Sequence, residues 1–167
     1  RRVLALGSLS KILAPGLRIG WIAGPQRLLE PLASCGFLDS GGGLAPFTSA
    51  LVRSALDSGS LALHLQELRR TYGERAAAMT AAVSRHLGKR VSFVAPQGGF
   101  FHWLDLGPGE DAERLLPPAR ARGVSFVPGV RFSSAGQQQS RLRLSFSYYD
   151  PPAIEEGVAR LAAALGG

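Results

Sequence analysis

The residues able to do chemistry concentrate early in this 167-residue chain, in Gly7-Ser8-Leu9-Ser10-Lys11-Ile12-Leu13-Ala14-Pro15-Gly16-Leu17-Arg18-Ile19-Gly20. A lysine follows two short hydroxyl residues, and an arginine stands seven positions beyond it. Small hydroxyls and open backbone N–H groups can cradle phosphate oxygens, and a guanidinium forks onto them. An amine held near positive charge and partly out of water is poised to attack a carbonyl carbon. The set therefore suits an anion that also carries a carbonyl. Taken alone, such residues are more commonly a plain strand–loop–strand turn with an exposed lysine. The other lysine, Lys89, sits in Leu87-Gly88-Lys89-Arg90, which reads as a solvated helix end.

Composition narrows the function classes. A hydrophobic share of 46% and a charged share of 19% are ordinary for a globular protein with a real core. The net charge of +7 raises nucleic-acid binding. The basic residues are nearly all arginines, however, scattered as Arg27, Arg53, Arg75, Arg90, Arg114, Arg131 and Arg160, with no basic stripe. No stretch is long and apolar enough to span a membrane, and residues 1–10 carry no signal-peptide pattern. The single cysteine, Cys35, excludes an intrachain disulfide and a cysteine-based zinc site. It fits a reduced, cytoplasmic compartment. With no histidine near it in sequence, Cys35 reads as a small buried residue rather than a nucleophile. His64, His86 and His102 lack metal-ligand spacing.

The elements that must position Lys11 and its neighbours follow from apolar periodicity. Residues 3–7 read as a fully buried strand, and residues 17–23 as a second. A buried strand needs neighbours and covering helices. Nothing upstream supplies them, so a preceding N-terminal region is expected. A helix is expected from Pro25, broken by Ser40-Gly41-Gly42-Gly43, and another from Pro46 with Phe47, Leu51 and Ala55 on one face. Leu61, Leu65, Leu68, Tyr72, Ala76, Met79, Val83 and Leu87 predict a long helix over residues 60–87, roughly 40 Å from end to end. Gly73 is a candidate kink, and Gly88 stops the helix. Strands are expected at 91–94, 100–106, 124–127 and 141–147, with helices over 110–122 and from Pro151 onward. Alternation in the strand at 141–147 puts Leu142, Leu144 and Phe146 on one face and Arg141, Arg143 and Ser145 on the other.

The ordered string Ser-x-Ser-Lys-x-x-x-Pro-Gly-Leu-Arg-x-Gly resembles the cofactor-lysine segment of class I/II, fold-type I aminotransferases that use pyridoxal phosphate. It is most similar to their 2-aminoadipate and broad-specificity branch. Leu9 and Ile12 stand where phenylalanine and threonine are frequent, and neither change removes a reactive group. The resemblance continues in order through Gly41-Gly42-Gly43 with Pro46-Phe47, Gln97-Gly98-Gly99-Phe100-Phe101-His102-Trp103, Gly123-Val124 with Pro128-Gly129-Val130-Arg131-Phe132, and Leu142-Arg143-Leu144-Ser145-Phe146-Ser147. It implies an α/β fold, the C-terminal part of such an enzyme: residues 1–57 the remainder of the cofactor-binding large domain, residues 58–167 a small α+β domain.

By that resemblance, Lys11 joins the cofactor covalently and then serves as general base and acid. Ser8 and Arg18 hold the cofactor phosphate, Ser10 contributes to it, Arg143 holds the substrate α-carboxylate, and Gly99 walls the substrate pocket with Gly98 and Phe101. Arg141, on the same face as Arg143, is expected to be the solvated arginine. The implied activity is transfer of an amino group from an α-amino acid to a 2-oxo acid, in a homodimer. The family's carboxylate for the pyridinium nitrogen lies upstream of the lysine and cannot be placed here, so this chain alone is expected to be inactive. A competing reading is the aminotransferase-like effector domain of a transcription regulator. Others are a non-catalytic fragment, or a different reaction on the same cofactor.

Overall fold

The computed structural model describes residues 2–39 and 44–166, the side chain of Asp39 excepted. The chain divides into two compact units, Arg1–Arg69 and Arg70–Gly167. In the first, β1 (Ala5–Ser8) pairs antiparallel with β2 (Gly20–Ala23), with Ala5 opposite Ala23 and Ser8 opposite Gly20. The second strand begins later than residue 17 because Pro15–Leu17 form a 3-10 turn and Arg18 takes a left-handed φ of 51°. Helices α1 (Gln26–Ala33), α2 (Gly36–Asp39) and α3 (Pro46–Asp57) follow. Pro25 and Pro46 open α1 and α3, where a fixed φ and a missing N–H do no harm. The short α2 has no signal in the periodicity, and the expected break at residues 40–43 lies outside the described residues. Helix α4 (Ser60–Leu87) has the expected bounds and runs continuously through Gly73; the division between the units falls within it.

One expectation fails here. The apolar run at residues 3–7 is not buried: Val3 is 71% exposed and Leu6 76%. Among the described residues β1 has β2 as its sole strand neighbour. An apolar run records a preference for burial, and a two-stranded hairpin has no layer with which to satisfy it.

The second unit contains the sheet β3-β4-β6-β5, antiparallel throughout, formed by β3 (Ser92–Phe93), β4 (Phe101–Asp105), β5 (Val127–Pro128) and β6 (Arg141–Ser145). Leu104, Leu142 and Leu144 point to its buried face. They join a core with Met79, Val83 and Leu87 of α4, Leu116 and Ala119 of α5 (Ala112–Ala121), and Ile154, Val158 and Leu161 of α6 (Pro151–Ala164). Each wholly buried leucine contributes on the order of 1.5–3 kcal/mol. Asp111 and Asp150 cap α5 and α6, accepting from the N–H of Glu113 at 2.9 Å and of Ala153 at 3.0 Å.

The strand expected at 124–127 is displaced to Val127–Pro128. The Val124 N–H is already spent on the carbonyl of Ala119 at 3.1 Å, closing the end of α5. Pro128 is tolerated because β5 is an edge strand. A 3-10 turn, Gly129–Phe132, follows. A Cβ on Gly129 would lie 2.5 Å from the carbonyl oxygen of Gln138 and 2.9 Å from that of Arg141, so this turn passes where only glycine fits.

Candidate functional site

The sequence-derived candidates fall into two groups, one in each unit. In the first unit the loop between β1 and β2 is closed by the Leu9 N–H donating to the carbonyl of Ile19 at 3.0 Å. The Leu9 carbonyl accepts in turn from the N–H of Ile12 at 3.3 Å and of Leu13 at 2.8 Å. The buried Leu9 therefore anchors a tight turn with Lys11 at its tip. Ser8 Oγ accepts from the Ser10 N–H at 3.2 Å, which fixes one hydroxyl beside the same turn. Across the loop, Arg18 Nη1 donates to the Pro15 carbonyl at 3.3 Å. Its left-handed backbone is the sparsely populated kind that persists where surroundings demand it.

Thus Ser8, Ser10, Lys11 and Arg18 all belong to one loop and its flanks. Lys11 and Arg18 are exposed, so the partial desolvation expected of Lys11 is not supplied by its own hairpin. The loop itself carries no carboxylate: the first in the sequence is Glu30. Two cations and two hydroxyls carried by one loop and its flanks are the residue types that can hold an anion. A primary amine beside it suits an aldehyde. The donor set fits a phosphorylated aldehyde cofactor.

In the second unit the face of the sheet opposite the core carries Phe101, Trp103 and Asp105 of β4 and Arg141, Arg143 and Ser145 of β6. Arg143 stands opposite Trp103 in register. Its guanidinium carbon lies 3.9 Å from the ring centroid of Phe101 and 4.5 Å from that of Phe132. Trp103 meets Phe132 edge-on, centroids 5.5 Å apart. Among the described residues no carboxylate forms an ion pair with Arg143. Gly99, just before β4, has φ of +80° and open space where a Cβ would sit, so it keeps the backbone there bare.

The neighbouring arginine behaves differently from expectation. Arg141 is not simply solvated, because its Nε donates to Asp105 Oδ2 at 3.1 Å. Asp105 also accepts from the Gly107 N–H at 3.0 Å and the Ser140 hydroxyl at 2.8 Å. These hold its carboxyl below the usual carboxylate range, the Gly107 bond first, then Ser140, with Arg141 adding to both. Asp105 is thereby committed to Arg141, its partner in register.

Cys35 is exposed rather than buried, since it sits in the short link between α1 and α2. His102 is wholly buried on the core side, with Nε2 3.2 Å from Thr80 Oγ1 and no partner for Nδ1 among the described residues. Burial pushes it below its ordinary value of 6.5. The described residues contain no cluster of three potential metal ligands and no helix long and apolar enough to cross a membrane. Residue types and spacing do not pair Trp103 and Phe132 with Arg143. Only the strand register and the turn after β5 reveal them.

A family model described as "Aminotransferase class I and II" matches residues 1–161, and the chain belongs to that family. It is 37% identical over 166 residues to a 2-aminoadipate transaminase of Thermus thermophilus, covering 99% of this chain and 41% of that one. A Pyrococcus horikoshii kynurenine aminotransferase structure superposes with a TM-score of 0.88 at 34% identity, over 98% of this chain and 40% of that one. The fold is the C-terminal portion of a fold-type I aminotransferase. An HTH-type transcriptional regulator of Bacillus subtilis, YdfD, is 30% identical over 159 residues, covering 95% of this chain and 32% of its own length. The chain spans about two fifths of the length of the first aminotransferase relatives it matches.

Proposed function

We propose that the protein is an aminotransferase that uses pyridoxal phosphate to move an amino group from an α-amino acid to a 2-oxo acid. In this reading residues 1–57 complete the cofactor-binding domain and residues 58–167 form the small domain. The protein works as a cytoplasmic homodimer. The observation that carries the reading is the hairpin that gathers Ser8, Ser10, Lys11 and Arg18 around one acid-free loop.

Lys11 would hold the cofactor covalently through Nζ. The Ser8 hydroxyl and the Arg18 guanidinium would hold its phosphate, with Ser10 assisting. When bound, pyridoxal phosphate supplies an electron sink for negative charge at the substrate Cα. Lys11 Nζ would also be the base that takes the substrate Cα proton and the acid that later returns it. Arg143 would fork onto the substrate α-carboxylate. Gly99 would wall the substrate pocket, with open space where a Cβ would stand.

The test is borohydride trapping. Pyridoxal phosphate is incubated with the protein, reduced, and the labelled peptide identified by mass. Label on Lys11 and its loss in Lys11→Ala are the expected results. Label retained in that variant, or found on Lys89 instead, overturns the reading.

The likeness to YdfD favours a second reading, a cofactor-holding effector domain of a transcription regulator. Both readings share the trapping result. Turnover of amino acids by the full polypeptide, against sequence-specific DNA binding without turnover, separates them.

A further inference from the structure

We infer that Phe101 and Phe132 are positioning residues for Arg143, clamping its guanidinium from two sides so that it is already oriented before a carboxylate arrives. This rests on the reading of Arg143 as the carboxylate-binding residue. β6 is a central strand, with β4 on one side and β5 on the other. Phe101 comes from β4, diagonal to Arg143 because its direct partner is Ser145. Phe132 comes from the 3-10 turn that follows β5, whose Val127 is also paired with Arg143. Each neighbouring strand therefore delivers one ring to the same guanidinium, at 3.9 and 4.5 Å. Trp103 braces Phe132.

These rings are not core residues. Phe101 is 41% exposed and Phe132 49%, on the face turned away from the packed helices. A guanidinium is weakly hydrated and stacks readily on aromatic faces, while its N–H groups remain free to fork onto an anion. A salt bridge would hold Arg143 equally well but would occupy those N–H groups. The carboxylate nearest in register, Asp105, is engaged by Gly107, Ser140 and Arg141. The arrangement fixes a cation without neutralising it, and pre-orientation lowers the entropy lost when the carboxylate binds.

The experiment compares Phe132→Leu, Phe132→Tyr and Arg143→Gln in the cofactor-loaded protein. Proton and nitrogen NMR of the Arg143 side chain reports ring stacking, and titration with 2-oxoglutarate reports carboxylate affinity. Phe132→Leu is expected to shift the Arg143 Hδ signals downfield, as ring-current shielding is lost. It should also weaken 2-oxoglutarate binding by about twofold to thirtyfold. Phe132→Tyr, which keeps the ring, should restore both. A silent Phe132→Leu beside a disabling Arg143→Gln overturns the clamp alone, as does a Tyr variant no better than Leu. A silent Arg143→Gln overturns the reading of Arg143, and the clamp's purpose with it.

Discussion

Arg18 combines two properties that substitution can pull apart: a guanidinium on an acid-free loop and a backbone in the left-handed region. For a residue with a Cβ that conformation costs about 1–2 kcal/mol. Glycine removes the cost but gains freedom in the unfolded chain worth a similar amount. Arg18→Gly is therefore expected to leave the Tm within a few degrees of the parent. The same change removes a charge-assisted contact, so half-saturation with pyridoxal phosphate should need about tenfold more cofactor or higher still. Differential scanning fluorimetry and an absorbance titration check the two halves separately. A parallel collapse of both would mean that the side chain supports the fold rather than the ligand.

At the scale of elements, the turn after β5 leaves its backbone little freedom. Gly129→Ala must push aside the carbonyls of Gln138 and Arg141, and is expected to cost about 1–3 kcal/mol in urea unfolding. Gly98 has open space around its missing Cβ, so Gly98→Ala should stay within about 0.5 kcal/mol. The need for glycine at position 129 was not legible from the residues, because the atoms that would clash come from Gln138 and from Arg141 at the start of β6. The elements themselves were more legible. Helix α4 announced both its ends, through apolar steps of three and four and through Gly88. The alternation of Arg141 to Phe146 placed every side chain of β6 on its correct face. Burial of the first strand was misjudged because periodicity is local, whereas burial depends on the layers around it. Within the candidate site, Lys11 and Arg18 were visible because one loop carries both. Arg143 was visible only by resemblance, and its aromatic partners were hidden in the register of three strands.

For the second unit taken whole, His102 links packing to pH. Burial favours its neutral form, so the folded chain resists a proton that the unfolded chain accepts near 6.5. The unfolded state then binds more protons below that value, and stability, full above it, falls as the pH drops through it. Glu155 does not contribute in the same window: the hydrogen bond from His86, then that from Arg85, holds it below the ordinary 4.5. The urea midpoint should therefore decline between pH 7.5 and 5.5, and His102→Leu should flatten that decline. An unchanged slope in the variant would assign the effect to other groups.

The two-sided sheet also dictates how this sequence can change in length. Along β4 and β6, buried and outward-facing side chains alternate one by one. Inserting or deleting a single residue inside either strand would carry Arg143 or Trp103 into the oily interior and turn leucines out to water. Growth or shrinkage by one is tolerable only in the connecting loops. A lineage that lost this rule would lose its cation and its core in the same event.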